Sequence, residues 1–211
     1  MHEYFEEYIR AVNNPLPKMR DYFLKEIDYI KSLVSSDSVI LDVGCGNGRM
    51  LKELAPAVGK ATGIDYDAAM ITEAKKNLRG IKKSELILGN FFEMEPAAVR
   101  DVVFASYNLL GSTEISTDRR DFLLAMMKRH AKPGGHVLAS VWSDSGIDFA
   151  KEYYPAIGIK VIGIEKYDVI TDHGSFKRFT KAELEELAKK VSHSFHIIDL
   201  SDIVYLLDIN V

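Results

Sequence analysis

Val39-Ile40-Leu41-Asp42-Val43-Gly44-Cys45-Gly46-Asn47-Gly48-Arg49 is the run from which the rest of the chain is read. A buried strand enters three alternating glycines, and a helix follows. Glycine tolerates positive φ and has no Cβ, so the backbone can turn sharply and lie against a ligand. The amides that open the next helix have no partner within it and point at the same place. A dinucleotide fingerprint is spaced G-x-G-x-x-G, its third glycine allowing close helix–strand packing. Gly44 and Gly46 fit that spacing, but Arg49 stands where the third glycine belongs, and Gly48 comes one residue early. The strand also ends on an acid, Asp42, two residues before the first glycine. A turn that serves only packing is the plainer alternative.

Outward from this run, short apolar stretches alternate with amphipathic ones. Strands are predicted at Ser38–Val43, Ala61–Asp65, Ser84–Leu88, Asp101–Tyr107 and His136–Val141. Helices are predicted at Arg49–Leu54, Ala68–Leu78, Met94–Val99 and Thr117–His130. Such alternation implies βαβ units, a parallel sheet covered on both faces, and right-handed crossovers. The fold class is therefore α/β, a doubly wound, mostly parallel sheet of seven strands. Its last two, Ser194–Leu200 and Ile203–Ile209, form an antiparallel C-terminal hairpin. Thr180 and Glu183 make a capping box for a helix at Lys181–Val191. Ligands of such sheets bind beyond the carboxyl ends of the strands, at the topological switch point.

The remaining segments carry no such order. Residues 1–35 read as a helical cap, with helices near Glu3–Val12 and Lys18–Val34 and an aromatic stripe of Tyr4, Phe5 and Tyr8. Residues 143–178 read as an insert with a helix around Phe149–Tyr154 and a strand-like stretch near Lys160–Ile170. No repeat or linker divides the chain, so one domain, 1–211, is expected. Hydrophobic residues at 47% and charged ones at 27% imply a packed core rather than disorder. A net charge of −4 gives no footprint for bulk nucleic-acid binding, and one cysteine, Cys45, excludes an intramolecular disulfide. No run approaches the roughly 18 apolar residues of a membrane span. The opening MHEYFEEYIR lacks the parts of a secretory leader, so a cytoplasmic location is expected.

The run D-V-G-C-G-N-G at 42–48 closely resembles motif I of the class I S-adenosylmethionine-dependent methyltransferases. Asp65 followed by Tyr66, Gly89-Asn90-Phe91, Lys132-Pro133-Gly134-Gly135 and Phe179-Thr180-Lys181-Ala182-Glu183-Leu184 are similar to later segments of that family, in the family's order. The resemblance implies S-adenosylmethionine as cofactor. Asp42, Gly44, Gly46 and Gly48 would hold its methionine part, Asp65 the ribose, Tyr66, Asn90 and Phe91 the adenine, and Ser106 the methionine chain. Asn90 departs from the family's usual Asp at its position and keeps only a neutral acceptor. Phe92 is expected in the core, and Asp67 as a helix N-cap.

Transfer would be an in-line displacement to a small-molecule acceptor, for which Tyr107, Asn108 and His173 are the candidate catalytic residues. The tetrad of amino-directed DNA enzymes, the Pro-Cys of cytosine C5 enzymes and the acids of metal-dependent catechol-type enzymes are all missing after Ala105, and no metal site is expected. Absence of an evident base leans toward an amine or carboxylate acceptor. The N-terminal helix and the 143–178 insert, both rich in aromatics, are expected to cover the acceptor pocket. His130, closing a helix, is expected to favour that helix's dipole with partial positive charge. An NAD-dependent oxidoreductase and a non-catalytic cofactor-binding protein or partner subunit stay open as alternatives.

Overall fold

The structure, a computed structural model, describes residues 5–97 and 99–211. Five parallel strands form first: β1 (Val39–Val43), β2 (Lys60–Asp65), β3 (Ser84–Leu88), β4 (Arg100–Ala105) and β5 (Ala131–Trp142). Two more close the chain, β9 (Phe195–Ser201) and β10 (Val204–Asn210). The spatial order is β3-β2-β1-β4-β5-β10-β9, with β10 antiparallel to both of its neighbours. This is the expected seven-stranded doubly wound sheet with its terminal hairpin. The order reverses between β1, which pairs with β2 on one side, and β4 on the other. That junction is the switch point at which such sheets open a crevice.

Helices cover both faces. On one lie α1 (Phe5–Asn13), α2 (Pro17–Ser32), α3 (Arg49–Leu54), α4 (Ala68–Asn77) and α6 (Ile147–Ile157). On the other lie α5 (Arg120–His130) and α7 (Lys181–Lys189). Successive strand side chains point to opposite faces, so Ile40 enters the first core while Leu41 and Val43 enter the second. Tyr22, Phe23, Ile27 and Ile30 form the buried stripe of α2, and the expected Thr180–Glu183 capping box is present. Glu3 and Tyr4 lie outside the described residues. Among the described residues, no helix is long and apolar enough to cross a membrane.

The structure corrects four expectations. No helix forms at Met94–Val99 among the described residues. A single 3-10 turn spans Phe91–Glu93, capped by Asn90, and irregular chain follows. Pro96 lacks an N–H and disfavours helical backbone at Glu95, which ends helix formation there. The fifth strand is longer than the pattern suggested. Ala131 pairs with Arg100 and His136 with Val102, so Lys132–Gly135 bulges within the strand instead of preceding it. The amide of Gly134, at φ +76°, donates to the Val211 carbonyl at 2.7 Å, pinning the bulge to the chain end.

The insert holds three strands where one stretch was expected: β6 (Val161–Glu165), β7 (Asp168–Thr171) and β8 (Gly174–Phe176), a separate antiparallel sheet. Lys166 at φ +56° makes the first reversal that the hydrophobic pattern hid. Finally, His130 is buried. Burial and the neighbouring Arg100 push its pKa down to about 4, so it is neutral near pH 7 and brings no charge to the helix end.

Candidate functional site

A cavity of about 540 Å³ opens beyond the carboxyl ends of β1, β2 and β4. Each strand end delivers its next residues into the wall. The turn after β1 brings Asp42, Gly44, Gly46 and Arg49, and the end of β2 brings Asp65 and Tyr66. The segment after β3 brings Asn90, Phe91 and Phe92, and the one after β4 brings Ser106, Tyr107 and Asn108. Tyr8 of α1 closes one side. Tyr153, Tyr154 and Ile157 of α6, with Ile159 and Phe176, close another.

The glycine loop is shaped by three left-handed residues, Gly44, Gly46 and Gly48, at φ +69°, +51° and +75°. At Gly46 a Cβ would stand 2.6 Å from the Tyr8 hydroxyl, so the loop has room for an approaching group only because no side chain is there. Gly48 is not on the cavity wall. A Cβ there would meet Ala74 and Leu78 at 3.2 Å, so its place in the fold is the close contact of the loop with α4. Asn47 ties the loop to its surroundings: its Oδ1 accepts from the Arg49 amide at 3.2 Å, and its carbonyl accepts from Asn77 at 2.9 Å. Asp65 braces the same loop, Oδ2 accepting from the Gly46 amide at 2.8 Å and Oδ1 from the Asp67 amide at 2.9 Å. Asp67 caps α4 as expected, accepting from the Ala69 amide.

Two buried polar groups beside the loop lack partners. Asp42 is 1% exposed and its Oδ1 accepts no hydrogen bond. Burial raises its pKa well above the ordinary 3.8; Arg49 opposes the rise, and Glu26 and Asp65 add to it. The Arg49 guanidinium lies 3.8 Å over the Phe23 ring, with Nη2 3.5 Å from Glu26 and Nη1 unpartnered. Buried polar atoms are paired in the great majority of cases, so unpaired ones at a cavity mark a place for a ligand. Arg49 entered the sequence reading only as a misfit to the dinucleotide spacing. Its burial comes from α2, which no local pattern places over it.

Beyond β4 the backbone is strained. Tyr107 and Asn108 sit consecutively at φ +57° and +61°, a region that L side chains avoid. Hydrogen bonds hold them there. The Tyr107 amide donates to Tyr22 Oη and Ser140 Oγ, each at 3.0 Å. The Asn108 side chain accepts from the Trp142 amide at 3.0 Å and donates to the Lys177 carbonyl at 3.2 Å. Its amide therefore joins the end of β5 to the strand-side edge of the insert. Ser106 Oγ is buried without a partner. His173 does not line the cavity; it stands in the β7–β8 turn, with Nε2 3.9 Å from Asp172.

Phe92 packs against the second core, as expected, and also lies on the cavity wall. Its ring stacks on Phe122 at 5.6 Å and carries the Arg119 guanidinium 4.0 Å above it. Asn90 Oδ1 accepts from the Phe92 amide at 3.1 Å, and its Nδ2 donates to Glu93 at 3.0 Å. Among the described residues, no cluster of three His, Cys, Asp or Glu is placed to hold a metal ion.

Residues 40–135, which supply the glycine loop and the first four strand ends, match the model of a methyltransferase domain. Residues 40–135 are thus a methyltransferase domain. A protein-lysine N-methyltransferase of Saccharolobus islandicus is 29% identical over 111 residues, 50% of this chain and 63% of that protein. A dTDP-3-amino-3,4,6-trideoxy-alpha-D-glucopyranose N,N-dimethyltransferase of Streptomyces venezuelae is 25% identical over 115 residues, 54% of this chain and 47% of that protein. The chain thus spans about half the length of these two relatives. A solved DhpI–SAH complex superposes with a TM-score of 0.68 at 19% identity, over 99% of this chain and 97% of that one. At that identity the likeness is one of fold.

Proposed function

We propose that this chain transfers a methyl group from S-adenosylmethionine to a small-molecule acceptor by in-line displacement. The observation that carries the reading is the pair of unpartnered buried groups, Asp42 Oδ1 and Arg49 Nη1, in residues that line one cavity beside the glycine loop. A carboxylate and a guanidinium together suit the ammonium and carboxylate of an amino-acid end. The residues present therefore fit the cofactor. Asp65 would hold the ribose hydroxyls from the position where it already braces Gly46. Tyr66, Phe91 and Phe92 would enclose the adenine, and Ser106 has a free hydroxyl for the methionine chain. Asn90, whose oxygen caps Phe92, keeps one lone pair for the adenine amino group.

When bound, the cofactor supplies an activated methyl group on a leaving group that needs no protonation. The protein's part is alignment and exclusion of water. Tyr8 from the N-terminal helix and Tyr153, Tyr154 and Ile157 from the insert support a role for both segments as the cover of the acceptor half. A small-molecule acceptor suits a cavity of this size with so enclosed a wall.

Calorimetric titration with S-adenosylmethionine, S-adenosylhomocysteine and NAD tests the reading. S-adenosylhomocysteine should bind and NAD should not. Asp42 also fixes the proton balance. Burial raises its pKa and an ammonium placed against it favours the carboxylate, so binding should lower that pKa and release a proton wherever the free side chain still holds one. The release appears as a binding heat that depends on buffer ionisation, and Asp42→Asn should abolish that dependence. NAD binding in place of S-adenosylhomocysteine would overturn the cofactor assignment.

A further inference from the structure

The charges around the cavity are divided between its two halves. Asp42 and Arg49 belong to the glycine loop and Asp65 to the end of β2. Glu114 hydrogen-bonds Tyr66, and Arg119 covers Phe92, so both stand at the outer strands. The half built by α1, the ends of β4 and β5, and the insert is lined instead by Tyr8, Tyr107, Trp142, Tyr153, Ile157 and Phe176. Among the described residues lining this half, none carries a charge at neutral pH. Burial pushes Tyr107 up to about 12 and Tyr153 well above its ordinary value, so neither phenol serves as a base. A carboxylate or phosphate brought here would lose its water, and the nearest cations, Arg49 and Arg178, already face Glu26 and Asp168, so it would cost several kcal/mol.

Two hydroxyls of this wall hold each other. Tyr107 Oη and Tyr153 Oη hydrogen-bond each other, one from the strained turn after β4 and one from α6. Trp142 sets both rings edge-on, at 5.4 Å from Tyr107 and 6.3 Å from Tyr153. One O–H is used within the pair, which leaves oxygen lone pairs to accept from a third group.

We propose that this half takes an uncharged, apolar amine bearing an N–H, which donates to the Tyr107–Tyr153 hydroxyl pair and so turns the nitrogen lone pair toward the methyl group. The inference rests on the methyltransferase reading above and narrows its acceptor from amine or carboxylate to amine. The N–CH3 bond forms as the S–CH3 bond breaks, and the electron pair of the latter stays on sulfur. Positive charge passes from sulfur to nitrogen, the nitrogen keeps its proton, and the product loses that proton to water after release. No base is needed, and the aromatic faces hold the cation at both ends of the transfer.

The test uses the full chain saturated with S-adenosylhomocysteine and four probes of one shape: N-methylbenzylamine, N,N-dimethylbenzylamine, benzoate and phenyl phosphate. N-methylbenzylamine should bind at least about tenfold more tightly than either anion and more tightly than the tertiary amine, which has no N–H to donate. Its affinity should rise about tenfold per pH unit while it remains mostly protonated, because the free base is the form bound. Tyr153→Phe should reduce the preference for the secondary over the tertiary amine at least threefold. S-adenosylhomocysteine affinity reports that the variant is folded, and Tyr107→Phe gives an independent second reading. Equal or tighter binding of an anion, no binding of the amine, or an unchanged preference in both variants overturns the proposal. Failure of S-adenosylhomocysteine to bind overturns the cofactor reading instead.

Discussion

One half of the cavity is made from backbone and the other from side chains. Around the glycine loop, positive-φ glycines, strand-end carboxylates and helix-opening amides all come from residues 39–92, in chain order. The opposite half gathers Tyr8, Tyr107, Trp142, Tyr153 and Phe176 from stretches far apart in the chain. A backbone-made site depends on a few local conformations and admits little variation, because any added Cβ collides. A wall of packed rings depends on which segments happen to converge. It can be re-lined without disturbing the sheet, so the two halves are separable: cofactor binding should be lost by changes in the first and acceptor choice altered by changes in the second.

The hardest test of that separation is Arg49, where the halves touch. Its charge faces Glu26, which is 2% exposed on α2. Arg49→Met should leave that carboxylate buried and uncompensated, costing about 3 kcal/mol in chemical denaturation. A second change, Glu26→Met, should restore most of the loss. If Arg49→Met is neutral, the pair does not join α2 to the loop and the halves are more independent than drawn here.

Asp65→Ala should act on the cofactor half alone. It removes a charged acceptor from the Gly46 and Asp67 amides and from the proposed ribose site, and S-adenosylhomocysteine affinity should fall at least about tenfold with the fold retained. Unchanged affinity would mean that the ribose is held elsewhere.

The smallest effect belongs to the cover. Arg10 Nη1 donates to the Ile157 carbonyl at 2.9 Å, tying α1 to the end of α6. Arg10→Ala should cost about 1 kcal/mol of stability, since the bond is only partly buried. It should leave S-adenosylhomocysteine affinity within about twofold while loosening amine binding, measured on the same probes. A loss confined to the cofactor would instead make α1 part of the cofactor half.

Acidity acts on two buried groups in opposite directions. Asp42 has a raised pKa, so the unfolded chain ionises first. The free protein should lose stability as pH rises from 3.8 through the folded pKa of Asp42. His130 is lowered to about 4, so its contribution is present above 6.5 and lost as pH falls toward 4.

How legible each half was follows from these differences. The alternating apolar runs marked the strands along the chain, and D-V-G-C-G-N-G pointed to Asp42, Gly44 and Gly46, which line the cavity. Gly48 matched the same pattern, yet it faces Ala74 and Leu78, because spacing does not say which side of a turn meets a helix. Phe92 read as core, and it packs there, but the 3-10 turn at Phe91–Glu93 also presents it to the cavity. His173 had the right chemistry and the wrong place, since the three-stranded sheet of the insert carries its turn away from the strand ends.

Local periodicity, glycine spacing and capping residues act over a few positions along the chain, and they were enough to settle the sheet, its switch point and the loop that faces it. Contacts between distant segments follow no such spacing. The seat of Arg49 against Phe23 and Glu26, the hydroxyl pair of Tyr107 and Tyr153, and the closing of Tyr8 over Gly46 exist only because packing of α1, α2 and α6 onto the sheet brings together residues 23 to 46 positions apart.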